Sequence, residues 1–170
     1  MRPGTPTSDI AMLLRIIDQA FDRKSWHGTN LRGSIRGLTA RQASARPAPG
    51  RHSIREIVLH TAYWKYAVYR RLTNEPKGSF PLKGSNWFPR TGSCTEAEWK
   101  SDVRLLAEIH GRMKCAIAGL SRHDLLTIPP GSATTILDTI TGIAAHDLYH
   151  AGQIQLLKRL IGTHRGAQKK

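Results

Sequence analysis

The chain has 170 residues, of which 39% are hydrophobic and 22% are charged, a composition typical of a soluble globular protein. We therefore expect one domain over residues 1–170, long enough to bury a core. No apolar run approaches the about 18 residues of a membrane-spanning helix, and the first residues lack the apolar core of a signal peptide. With only Cys94 and Cys115, no disulfide framework is expected, and a cytoplasmic location fits best.

The net charge of +14 has two interpretations. It favours either a polyanionic partner such as nucleic acid, or simply a solvated basic surface. The basic residues are spread along the chain, with one short cluster at 165–170, and no nucleic-acid-binding motif occurs. The solvated surface is therefore favoured, with nucleic-acid binding as the alternative.

Apolar residues at helical spacing predict four long amphipathic helices, and no segment alternates as a strand would. The first is expected over 8–24, and short helices near 30–37 and 39–45 follow it. The second and third begin at the capping boxes Ser53/Glu56 and Thr95/Glu98 and run to about 72 and 119. The fourth should begin at Thr134 or Thr135 and end at 161, with Gly162 just beyond it. The pattern predicts an all-α four-helix bundle with flexible tails at 1–7 and 163–170.

Residues 74–94 form a long connection rich in Gly, Pro and Ser that contains Phe80, Trp87 and Phe88. Loops of this length are uncommon and often cover a functional site. The aromatic side chains could equally close one end of the bundle. Both interpretations stay open at the level of sequence.

The fourth helix carries His146 and His150, four residues apart on its apolar face. Imidazoles at this spacing can reach one metal ion. The pattern differs from the H-E-x-x-H motif of metalloproteases, and no Asp or Glu follows Asp147 to serve as a downstream ligand. A third ligand must therefore lie upstream, and both His60 and His110 lie on or beside apolar stripes. Helical periodicity does not choose between them.

Two stretches resemble the DinB/YfiT-like family of metalloenzymes, namely residues 53–64 (SIREIVLHTAYW) and 146–154 (HDLYHAGQI). The resemblance implies a four-helix bundle in which His60, His146 and His150 bind the metal and His110 is a core residue. It also implies that homodimers are common and that relatives include transferases using low-molecular-weight thiols. Imidazole ligands suit zinc or nickel equally well.

Such a site predicts a metal-dependent enzyme of thiol S-transferase or hydrolase type that acts on a small molecule. The alternatives are a metal-stabilised stress or binding protein without turnover, and a basic nucleic-acid-binding helical domain. Gln153 could orient water or substrate, or could bond a neighbouring helix. His27 could act as a base near the metal, or lie exposed in a turn. Trp64 and Tyr149 are expected to pack the bundle.

Overall fold

The structure is a computed structural model that describes the backbone of residues 8–167 and the side chains of residues 9–162. Within that part of the chain every regular element is a helix, which confirms the predicted all-α fold. No helix among these residues is long and apolar enough to cross a membrane. The predicted tail at 1–7 and the last three residues lie outside the described part.

Between residues 8 and 167, four long helices and three short ones make up the fold. The long helices are α1 (Ser8–Phe21), α4 (Ile54–Thr73), α5 (Glu96–Ala118) and α7 (Ile136–Ala167); the short ones are α2 (Leu31–Ile35), α3 (Ala40–Ser44) and α6 (Arg122–Leu125). Helix α1 packs against α5 and α7, and α4 packs against the same two helices. The four long helices thus contact one another in a closed ring, as the apolar stripes predicted.

The predicted capping boxes start α4 and α5. The Ser53 hydroxyl accepts from the backbone N–H of Glu56, and the Glu56 carboxylate accepts from the backbone N–H of Ser53; Thr95 and Glu98 do the same. These reciprocal bonds satisfy backbone donors that a helix start leaves free. Both helix starts therefore follow from local sequence.

Two predicted helix ends were wrong. Helix α1 ends at Phe21, because the N–H groups of Asp22 and Arg23 both turn back to the carbonyl of Asp18, at 3.0 and 2.8 Å. Helix α7 continues through Gly162 to Ala167. A glycine inside a helix costs only about 1 kcal/mol relative to alanine, so it does not have to end one.

The long loop closes part of the bundle. Phe80 and Phe88 are buried and pack on Tyr63 of α4 at ring-centroid distances of 5.4 and 5.6 Å. Trp87, between them in sequence, is only half-buried and turns instead toward His60. The phenylalanines therefore close part of the bundle, as one interpretation of the loop predicted, whereas a functional role of the loop stays a prediction.

Candidate metal centre

Three histidines meet where α4 packs against α7. The Nε2 atom of His146 lies 3.2 Å from Nε2 of His60 and 3.1 Å from Nε2 of His150. Nitrogens bound about 2.0–2.1 Å from one tetrahedral ion lie about 3.3–3.4 Å apart. The three side chains are therefore positioned to bind one metal ion.

Hydrogen bonds at the far side of two rings orient these nitrogens. His60 Nδ1 lies 2.9 Å from the carbonyl oxygen of Asn86, and His150 Nδ1 lies 2.7 Å from Oε1 of Gln153. Since both partners can only accept, each Nδ1 carries the proton and each Nε2 presents a lone pair. The lone pairs of His60 and His150 both face Nε2 of His146, whose own Nδ1 has no hydrogen-bond partner among the described residues, so this arrangement requires a proton or a cation between the nitrogens. The donor set thus fits a divalent cation.

Burial keeps the three imidazoles neutral. It lowers the pKa of His146 to about 3 and that of His150 to about 4, and it also lowers the pKa of His60. The neighbouring rings lower the pKa of His146 and His150 further, because two charged imidazoles would repel each other. Neutral imidazole is the form that binds a metal, so no proton has to leave at neutral pH.

Two tryptophans form a wall of the site. Trp87 stacks on His60 with centroids 3.9 Å apart and planes 12° from parallel, and its ring also stacks on His52 at 3.7 Å. Trp64, one turn after His60, lies edge-on to both His60 and His146 at 6.3 Å. The indoles restrict the orientation of His60 and keep part of the cluster away from water.

Asn86 connects the loop to this wall. Its backbone is left-handed, with φ at 62°, a conformation that asparagine tolerates better than most residues. In this conformation its carbonyl accepts from His60, while its side-chain oxygen accepts from Trp64 Nε1 at 3.0 Å. Nothing in the sequence pattern singled out this residue, because its role depends on where the loop lies on α4.

A comparison with known protein families identifies the family of this chain, and the matched segment includes the candidate site. The sequence profile of the DinB superfamily matches residues 24–154, well over half of the chain. The chain belongs to the DinB superfamily. The matched segment begins after α1 and contains His60, His146, His150 and Gln153. No curated protein matches the chain.

Behind the histidines, this DinB-superfamily chain buries an ion pair that sequence analysis did not predict. Lys65 of α4 and Asp147 of α7 are both 0% exposed, and their charged atoms are 2.5 Å apart. Burial lowers the pKa of Lys65 and raises that of Asp147, and the opposite charge of the partner counteracts each shift. A sequence signal did exist, because Lys65 lies four residues after Thr61 and three before Val68, on the apolar face of α4, and Asp147 is the only acid in the central part of α7.

His110 lies in the core and outside the histidine cluster. Its ring stacks on Phe21 at 3.6 Å, and burial together with the nearby charge of Lys65 lowers its pKa to about 2. Both ring nitrogens are buried without a hydrogen-bond partner among the described residues. Helical periodicity did not choose between His60 and His110 as the third candidate ligand. Packing decides for His60, because His60 faces His146 whereas His110 faces Phe21.

The other site candidates have different surroundings. Gln153 bonds His150 of its own helix and not a neighbouring helix, and its role in orienting water or substrate stays a prediction. His27 is exposed in the turn after α1, and its role as a base stays a prediction. The expectation that Tyr149 packs the bundle was wrong: it is 63% exposed, because His150, the next residue along the helix, faces inward.

Replacing Gln153 with leucine is expected to weaken metal binding by about 10- to 100-fold, the usual effect of losing the partner that orients a ligating imidazole. Competition with a chromophoric chelator measures this change. Gln155→Leu is the matched control, because Gln155 is equally half-buried and lies about 200° around α7 from Gln153. An equal loss in both variants would contradict the orienting role.

Proposed function

We propose that this DinB-superfamily protein is a metal-dependent enzyme that transfers a small thiol to an electrophile, or hydrolyses a small substrate. His60, His146 and His150 would hold one divalent cation, zinc or nickel. The observation that carries this proposal is the convergence of three neutral imidazole rings from two helices, with their Nε2 atoms facing one another.

Three protein ligands would leave a coordination position for a reacting group. Among the described residues, these histidines form the only group of three or more His, Cys, Asp or Glu side chains whose ligand atoms all lie within 4.8 Å of one another. Three protein ligands are typical of catalytic sites, whereas structural zinc sites have four. A divalent cation held by neutral imidazoles keeps its full charge and lowers the pKa of a water or thiol bound to it.

The surrounding residues would prepare the ligands. Asn86 and Gln153 hold the protons of His60 and His150 on Nδ1, so that Nε2 is always free to bind. Trp87 and Trp64 restrict access of water from one side. A drier, preorganised site strengthens every electrostatic interaction inside it.

Removing the metal is expected to lower the melting temperature modestly and to leave helicity unchanged. The reason is that the bundle has two apolar clusters made from all four long helices, so its core does not depend on the ion. Circular dichroism before and after chelation tests this. A chain that unfolds outright on chelation would show a structural metal instead.

Activity should be sought first as transfer of a small thiol to 1-chloro-2,4-dinitrobenzene. In that reaction a sulfur–carbon bond forms, chloride leaves, and the thiol proton passes to solvent. Zinc- or nickel-loaded wild-type protein should be active, and His150→Ala should not. His123→Ala, a change at an exposed histidine, is the control. If thiol transfer is absent, ester hydrolysis is tested in the same way. Metal binding without either activity would favour the non-catalytic alternative.

A further inference from the structure

A groove of about 1030 Å³ lies beside the metal centre. Its three walls are the C-terminal half of α4, the loop at 77–85, and the connection at 129–131 between α6 and α7. The residue after this loop segment is Asn86, which bonds His60. The loop that lines the groove therefore continues directly into the residue that bonds His60.

The groove is strongly basic. Arg70, Arg71, Lys77 and Lys83 line it, and none of the described lining residues is acidic. The nearby carboxylate of Glu75 points elsewhere, since it accepts from the Tyr69 hydroxyl and pairs with Arg112 at 3.6 Å. Cations concentrated in a concave surface raise the local concentration of anions.

Aromatic rings form another part of the lining. Tyr63, Trp64, Tyr66 and Phe80 all contribute to it. The ring of Phe80 packs on both tyrosines, at centroid distances of 5.4 and 5.3 Å, which holds this apolar surface in place. Ligand sites commonly combine such an apolar lining with a few charged groups that set orientation.

Trp64 joins the groove to the metal centre, because the same ring that lines the groove lies 6.3 Å from His60 and from His146. Along α4, Trp64 is about 6 Å from the level of His60 and Arg71 is about 16 Å from it, at 1.5 Å per residue. Arg70 and Arg71 thus lie at one end of an aromatic surface, and the histidines lie near the other.

We propose that this groove binds the substrate, and that the substrate is an elongated small anion. Its apolar or aromatic middle would lie on Trp64, and its carboxylate or phosphate would bind the cations around Arg71. The reacting group would then reach the three histidines. This inference rests on the proposed function in assigning the ligand to the metal centre, but the anion site itself can be tested without any reaction.

The probe is naphthalene-2-sulfonate, which combines a flat ring with a fixed negative charge and has no bond that the proposed chemistry would cleave. Its binding is measured by equilibrium dialysis, with one equivalent of zinc and again after chelation. Arg71→Gln combined with Lys83→Gln should weaken binding about tenfold, as expected for the loss of two partly solvated charge contacts. Uncharged 2-naphthol should bind both proteins equally, which shows that the aromatic surface is intact.

Arg41→Gln combined with Arg104→Gln is the matched control. It removes the same charge from two exposed arginines outside the groove and should change the affinity less than twofold. Unchanged sulfonate binding in the groove variant would overturn the proposal. So would an equal loss in the control variant, because that result means general attraction to a basic surface.

The two proposals can fail separately. Groove-dependent binding of the sulfonate to a protein that binds no metal would leave the anion site standing and refute the metalloenzyme. Metal-dependent activity with no effect of the groove variant on sulfonate binding would refute only the anion site.

Discussion

Replacing His60, His146 or His150 with alanine is expected to abolish stoichiometric binding of a divalent metal. Each variant loses one of the three nitrogens that are positioned to bind the metal. The Nε2 atoms of His60 and His150 lie 3.2 and 3.1 Å from Nε2 of His146, which is the central one. The loss of metal affinity should exceed the loss of about 10- to 100-fold that is expected when Gln153, which bonds the far side of a ligand ring, is replaced. The measurement is metal content of protein purified without chelator or nickel resin, followed by titration calorimetry.

His110→Ala is the matched control for this experiment. His110 is also a buried, neutral histidine on a long helix, so its loss disturbs the core in a comparable way. It should lower stability and leave metal stoichiometry at one per chain. If His110→Ala abolished binding and His60→Ala left it intact, the assignment of the third ligand would be wrong.

Replacing only one member of the buried ion pair is expected to destabilise the protein by about 3–5 kcal/mol, because the remaining charge is left uncompensated in the core. Lys65→Met and Asp147→Leu are the single variants, and both positions are 0% exposed. The Lys65→Met/Asp147→Leu double variant should recover most of the loss, since replacing both charges with apolar side chains of similar size is often neutral. Urea denaturation of metal-free protein measures all three.

A surface ion pair provides the comparison. Arg122 and Asp9 are 3.1 Å apart, but their side chains are 81% and 41% exposed. Asp9→Asn should therefore cost less than about 1 kcal/mol. A loss for Lys65→Met no larger than this would show that water reaches the pair between α4 and α7.

Local patterns in the sequence were sufficient for the main elements of the fold. Apolar spacing and the boxes at Ser53/Glu56 and Thr95/Glu98 predicted the long helices, because these interactions span only a few residues. The ends at Phe21 and Ala167 were predicted less well, since a helix end depends on small differences in backbone bonding that the tertiary structure readily changes. The family, too, was predictable from short motifs, and the match over residues 24–154 confirms it.

The site was predictable only in part. His146 and His150 share one helix, so their proximity follows from helical geometry alone. His60 entered through resemblance to a family, because its own pattern did not separate it from His110. The difference between them is the rotation of α4 and α5 about their axes, which places His60 against His146 and His110 against Phe21.

Only the tertiary structure decided which residues surround the histidines. His60 is contacted by Asn86, which follows it by 26 residues, and by Trp87 of the same loop. Lys65 pairs with Asp147 of the adjacent helix α7, which is 82 residues further along the chain. The basic groove likewise combines a helix with two separate connections. The sequence by itself determined where helices form and which apolar faces they bury. It did not determine these contacts, because partners distant in the chain are selected by the packing of whole helices and carry no periodic signal of their own.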